Sequence, residues 1–305
     1  MTALMELRDV TKVYGGGLLN TNTTVALKNM NLAIEGDTPK IIAIVGESGS
    51  GKTTLASLLM GFISPTEGAV YYQGKDLSKL SGAERKNFRR EVQAVFQDPF
   101  AVYNPFYKVD HVLSVPLAKF KLARSKAQAQ ELMEEALSAV GLRPEETLGR
   151  YPHQLSGGQR QRIIVARALM LKPKVLIADE PVSMVDASLR ATILEILRTM
   201  NQSLHIPILY ITHDLATAYH VSDQVVVLYR GVAVESGDTE TVIKNPQHEY
   251  TRLLFDSIPW PDPDRRWGEA QPAGSDFSGG VAAPAAQHEW IQKFLRLKWP
   301  HNRSR

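Results

Sequence analysis

The segment VGESGSGKTTLASLLMG, Val45 to Gly61, constrains the fold of this 305-residue chain more than any other. An apolar run, KIIAIV (Lys40 to Val45), stops at Gly46, and a helical pattern with Leu55, Leu58 and Leu59 on one side follows. The order is strand, glycine-rich loop, helix. Gly46, Gly49 and Gly51 permit turns and close approaches that a side chain blocks, so successive N–H groups can converge on an anion. The helix points its positive end at the same place. Gly46, Gly51, Lys52 and Thr53 satisfy G-x-x-x-x-G-K-[ST], a set that coincides by accident in roughly one chain of this length in a hundred. With Glu47, Ser48, Ser50 and Thr54 completing the loop, the pattern predicts a nucleoside triphosphate site. Lys52 would meet the outer phosphates, and the Thr53 hydroxyl is placed to ligand Mg2+.

The chain is long enough to bury a large core, with 44% apolar and 22% charged residues. A formal charge of +3 gives no case for nucleic acid. The absence of cysteine excludes disulfides, thiolate metal sites and cysteine-held iron–sulfur clusters. No apolar run approaches the roughly 20 residues that span a bilayer. The start, MTALMELRDV, lacks a basic-then-apolar signal. We therefore expect a cytoplasmic protein whose membrane role comes through partners.

Met5 to Tyr14 and Val25 to Ile34 alternate apolar and polar residues and predict two half-buried strands, joined by a flexible GGGLLNTNTT connection. GAVYYQG reads as a short strand and turn. From about Ser81 to Leu142 the pattern is charged and helical, with Leu132, Ala136 and Val140 on one face, and predicts a helical insertion. KVLIAD and PILYIT are then short apolar runs separated by a helical pattern, the signature of a parallel, doubly wound sheet with ligands at the strands' carboxyl ends. QVVVLYRGVAVESG closes as a hairpin. Past Ser257 the composition turns to Pro, Gly and Ala, as in a linker. No internal repeat is visible, so a single nucleotide-binding unit is expected.

VLIADE ends a buried strand with Asp179, a carboxylate able to hold Mg2+ opposite Thr53, and Glu180 follows. LSGGQRQR, Leu155 to Arg162, gives a second helix start suited to an anion. Here the sequence resembles the ABC ATPase family, whose signature is LSGGQ. Gln97 in VFQDPF matches the family's Q-loop, His213 in YITHD its switch histidine, and Tyr14 its adenine-stacking aromatic. Singly, these have ordinary readings as a loop glutamine, a strand-end histidine and a core tyrosine; their order and spacing carry the resemblance, which spans about residues 4 to 260.

The resemblance implies an α/β P-loop NTPase fold of the ABC-ATPase type: a mixed, largely parallel sheet core, an antiparallel β subdomain and a helical subdomain at about 98–160. The cassette would occupy 4–257 and an extension 258–305. It further implies that two cassettes close head to tail on ATP and Mg2+. Ser156, Gly157, Gly158 and Gln159 of one subunit would then cap the γ-phosphate on the other's phosphate loop. Glu180 would polarise water, His213 orient the γ-phosphate, and Gln97 sense the metal and report to membrane subunits. Asp186 belongs to the implied nucleotide-contacting set. It ends SMVD, where the family has Ser-Ala-Leu-Asp, which puts subunit contact there in doubt.

FQDPFAVYNPF and NPQHEYTRLLFDSIP, with Glu249 where a proline is usual, resemble the oligopeptide and dipeptide importers. The implied partners are two permease subunits, a second and different ATPase chain, and an extracytoplasmic solute-binding protein, with no nucleic acid. The protein would sit on the cytoplasmic face of the membrane. An oligosaccharide importer, suggested by the aromatic VYNPFYKVDHVL, stays open. A soluble ABC ATPase of DNA repair or translation is the reading from another class. The terminal HEWIQKFLRLKWPHNRSR has Trp290, Ile291, Phe294 and Leu295 at helical spacing with Lys293, Arg296 and Lys298 interleaved. It is read either as a helix docked on the protein body or as one lying on anionic lipid.

Overall fold

The computed structural model describes residues 3–15, 23–98 and 102–256. The expected linker and terminal amphipathic segment, and most of the GGGLLNTNTT connection, lie outside the described residues.

The alternating segments at the start form strands β1 (Met5–Gly15) and β2 (Thr23–Ile34), paired antiparallel as expected. The register shifts near Asp9 and Asn29, both at positive φ, mark bulges that coil this ribbon. With β4 (Glu67–Tyr72) and β5 (Lys75–Asp76) they make an antiparallel sheet of order β2-β1-β4-β5.

The larger sheet is built from β3 (Ile41–Val45), β6 (Val92–Val95), β7 (Val175–Asp179), β8 (Ile208–Thr212), β9 (Gln224–Tyr229) and β10 (Val232–Asp238), in the order β10-β9-β3-β8-β7-β6. All neighbours are parallel except the β9–β10 hairpin, whose turn residues Arg230 and Gly231 both take positive φ. Successive strand residues face opposite layers. Ile42, Ile44, Ile177, Leu209 and Ile211 pack with helix α1 (Lys52–Leu59) against the antiparallel sheet. Ala43, Val45, Leu176, Ala178 and Tyr210 pack against helices on the other side. These runs read as continuously apolar because both faces are covered.

One sequence expectation is corrected. The stretch from Ser81 to Leu142 is not helical throughout: after helix α2 (Gly82–Glu91) the chain enters β6, the buried edge strand paired with β7. VQAV is too short to show a period, and its burial comes from a neighbour distant in sequence. Beyond it, helices α3 (Asp110–Lys119) and α4 (Lys126–Ala139) bury Leu113, Leu117, Leu132 and Ala136 against the long helix that carries the signature. Further along the chain come α5 (Pro144–Thr147), α6 (Gly157–Met170), α7 (Ala187–Leu204), α8 (Leu215–Val221), α9 (Thr239–Lys244) and α10 (Glu249–Asp256). No helix among the described residues is long and apolar enough to cross a membrane.

Candidate functional site

The phosphate loop joins β3 to α1, and close approach fixes its path. A Cβ on Gly46 would lie 2.1 Å from the Leu228 carbonyl oxygen, and one on Gly51 2.5 Å from that of Ala26. Gly51 also takes a φ of 108°. Only glycine fits either place. The Gly231 N–H donates to the Ser50 carbonyl at 2.9 Å, so the β9–β10 turn forms the loop's floor.

Lys52 is buried, with Nζ donating to the carbonyls of Gly46 at 2.7 Å and Glu47 at 2.8 Å. Burial lowers its pKa, against the raising effect of Glu180, Asp179 and Glu47. Burial, and then the charge of Glu180, pushes the Asp179 carboxyl up to about 6, against the lowering effect of Lys52. At Asp179 the charge of Glu180 thus adds to burial, and Lys52 offsets only part of the two. The donors expected for Mg2+ are the Thr53 hydroxyl, the Gln97 amide oxygen and the Asp179 carboxylate. Among the described residues no group of three His, Cys, Asp or Glu side chains could hold a metal. An all-oxygen set with one carboxylate fits a hard ion that completes its shell with phosphate and water.

Parallel pairing of β7 with β8 sets Asp179 opposite Ile211, so both strands release their next residues along one edge. Glu180, at φ 48°, bonds through its N–H to the Ile211 carbonyl at 2.8 Å. Its Oε1 lies 2.9 Å from His213 Nδ1. The neighbours of His213 fix its place. The Thr212 hydroxyl accepts the Asp214 N–H, and Asp214 caps α8 through the N–H groups of Ala216 and Thr217. Arg190 of α7 pairs with the other Asp214 oxygen at 3.1 Å. A cleft of about 350 Å³ opens on Glu180, Ser183, Arg190 and His213. A carboxylate and an imidazole at adjacent strand ends, beside a lysine-bearing anion loop, can position water against a phosphoryl group.

The signature lies at the start of α6. Ser156 is its N-cap: the hydroxyl accepts the Gln159 N–H at 3.2 Å, and Gln159 Oε1 accepts the Ser156 N–H at 2.9 Å. This capping box is exposed, and its hydrogen bonds stay within the helix start. Gly158 is buried, and a Cβ there would lie 2.2 Å from Leu189 Cδ1. Its lack of a side chain therefore serves packing of α6 on α7. Gly157 faces the Met184 carbonyl, 3.7 Å from where its Cβ would stand. Within SMVD, Val185 is buried and Met184 exposed, so the core absorbs one of the bulkier residues and the surface carries the other.

Asp186 caps α7, accepting the Leu189 N–H at 3.0 Å and the Ser188 hydroxyl at 2.7 Å. Those bonds, the Leu189 N–H first, hold its carboxyl below the usual carboxylate range. Tyr14 ends β1 with its side chain exposed and Lys12 Nζ 5.2 Å from the ring centre. It is not a core tyrosine. Gln97 is exposed just after β6, whose Ala94 carbonyl accepts from Arg167 of α6, while Gln161 donates to the Phe96 carbonyl. The Q-loop is thereby tied to the signature helix.

Sequence reasoning missed Tyr250. Its hydroxyl accepts the Glu47 N–H at 2.9 Å, and its ring stacks on Tyr229 with centres 4.0 Å apart. The sequence marks the segment only by its likeness to a C-terminal pattern, and nothing local links it to the phosphate loop.

A mononucleotide loop facing two strand-end carboxylates and a histidine defines a P-loop nucleotide-hydrolysing site. Residues 27–183 match the ABC transporter family, and 234–280 match the C-terminal region of oligopeptide/dipeptide transporters. The chain belongs to the ABC transporter ATP-binding family, and its α/β fold is that of an ABC ATPase cassette. It is 44% identical over 227 residues to the dipeptide transport ATP-binding protein DppF of Escherichia coli, covering 74% of this chain and 67% of that one. It is 40% identical to the di/tripeptide transport protein DppF of Pseudomonas aeruginosa, covering 87% and 81%. Identity to the oligopeptide transport protein OppF of Streptococcus pyogenes is 40%, covering 85% and 83%. Among solved structures, a dimeric ATP-binding cassette in a post-hydrolysis state with ADP and phosphate superposes with a TM-score of 0.69. Identity there is 30%, over 77% of this chain and 98% of that one.

Proposed function

We propose that this chain is the ATP-hydrolysing subunit of an importer of dipeptides and oligopeptides. Tyr14 stacks on adenine, and the phosphate loop, residues 46–54, takes the phosphates with Lys52. Thr53, Gln97 and Asp179 hold Mg2+, which when bound neutralises charge on the phosphates. Glu180 orients water in line with the γ-phosphorus and His213 contacts the γ-phosphate. Water gives a proton to Glu180 and forms the new P–O bond as the bond to the β-phosphate oxygen breaks, leaving ADP and phosphate, and Glu180 then passes the proton on to the departing phosphate or solvent. Ser156, Gly157 and Gln159 close on the ATP of a second cassette, with the Gly158 backbone behind them. Asp186 supports that face by capping α7 rather than by a free carboxylate.

The observation that carries the hydrolytic reading is the Glu180–His213 contact at the ends of β7 and β8, beside Lys52. Peptide as cargo is supported by the match of residues 234–280 and by the relatives' names. The partners are two permeases, a second and different cassette, and an extracytoplasmic binding protein, which place the chain on the cytoplasmic face of the membrane. The cassette occupies 4–257, and 258–305 is an extension. Deletion of the gene tests the cargo. Lost uptake of labelled di- and tripeptides, restored by this chain, is expected; lost oligosaccharide uptake with intact peptide uptake would replace peptide by sugar.

A further inference from the structure

One peptide unit of the phosphate loop is held from both sides. The Gly46 carbonyl accepts a hydrogen bond from Lys52 Nζ at 2.7 Å, and the N–H of the same unit, that of Glu47, donates to Tyr250 Oη at 2.9 Å. A peptide unit is rigid and planar, so a bond at each end fixes its rotation. The lysine's second acceptor, the Glu47 carbonyl at 2.8 Å, belongs to the next unit and depends on that setting. We infer that Tyr250 is a positioning residue for the ATP site, presetting the first turn of the phosphate loop and, through it, the Lys52 ammonium.

Tyr250 is itself braced. Its ring stacks on Tyr229 of β9 at 4.0 Å and 26°, and Arg230 lies over the other tyrosine at 5.1 Å. The turn just before α10 is anchored to β10: the Glu235 carboxylate accepts the N–H groups of Gln247 at 2.8 Å and His248 at 3.0 Å. His248 Nδ1 then accepts the Tyr250 N–H at 3.1 Å, and Arg252 donates to the Pro246 and Gln247 carbonyls. A rigid element thus delivers one hydroxyl to the loop's first half. The Gly231 N–H holds its second half at Ser50. Burial raises the Tyr250 pKa, so the phenol keeps its proton and remains a neutral acceptor. Glu47 N–H is thereby withheld from phosphate, leaving the later amides of the loop and α1 to bind it.

This inference rests on the phosphate loop being the ATP site. If that reading fails, the unsubstituted full-length chain shows no ATP binding by calorimetry. The inference itself is tested by Tyr250→Phe, which keeps the ring on Tyr229 and removes only the hydroxyl. Loss of one hydrogen bond that preorganises a binding loop is expected to weaken ATP affinity about 2- to 10-fold. Deuterium exchange at the Glu47 amide is expected to accelerate, while the melting temperature without nucleotide stays unchanged. In the assembled transporter KM for ATP rises and kcat changes by less than about twofold, because bound ATP restores the loop. Unchanged affinity and exchange would overturn the inference. So would an affinity loss matched by a lower melting temperature, which would make Tyr250 a packing residue.

Discussion

Glu180 Oε1 and His213 Nδ1 lie 2.9 Å apart although they follow different strands, because parallel β7 and β8 end in step. In the proposed reaction the two groups serve one water and one phosphate as a unit, and losses within a unit do not add. His213→Ala is expected to lower turnover about 10²- to 10³-fold, and Glu180→Gln/His213→Ala no more than about tenfold beyond the worse single variant. Phosphate release from the assembled transporter measures this; fully multiplicative losses would show that the two act separately.

Tyr14 stands exposed at the end of β1, so its removal costs the fold little. Tyr14→Ala is expected to weaken ATP binding by about 1–3 kcal/mol, the worth of stacking on a base, which is about 5- to 150-fold. Calorimetry without and with nucleotide checks this. Unchanged affinity would remove Tyr14 from the site.

Gly158 offers a test of packing independent of any ligand. The Cβ of Gly158→Ala would meet Leu189 Cδ1 at 2.2 Å. We expect a loss of about 1–3 kcal/mol in unfolding free energy, the cost of overpacking. In a Leu189→Ala background the same substitution is expected to be neutral or stabilising, a coupling that chemical denaturation of all four chains would reveal. Equal losses in both backgrounds would mean the crowding lies elsewhere.

These cases show what the sequence carried. The phosphate loop, the apolar strands ending at Asp179 and Thr212, and the serine-capped start of α6 are local patterns, each legible in a dozen residues. The packing duty of Gly158 was not legible, since it depends on Leu189 lying across α6. Strand β6 was hidden because VQAV is too short for a period and is defined by pairing with β7. Tyr250 acts across 203 residues of sequence, and only the fold brings it to Glu47.

Ser156→Arg separates a two-subunit site from a one-subunit site. The exposed capping serine is expected to serve the partner's ATP, so this chain's own ATP binding stays nearly intact while the opposite site stops turning over. Site-resolved nucleotide trapping in the purified transporter reads both. Loss of binding at this chain's own phosphate loop, with the opposite site normal, contradicts the head-to-tail arrangement.

The most direct measurement is ATP hydrolysis and labelled dipeptide uptake, followed together in vesicles holding the assembled transporter with Glu180→Gln in this chain. Glu180 is expected to act as the positioned base, worth about 10²–10⁴ in rate. The account predicts that ATP is still bound, that hydrolysis at this chain's site falls by that factor, and that uptake falls with it. Hydrolysis within about threefold of the unsubstituted transporter, or uptake continuing while hydrolysis is lost, would contradict it.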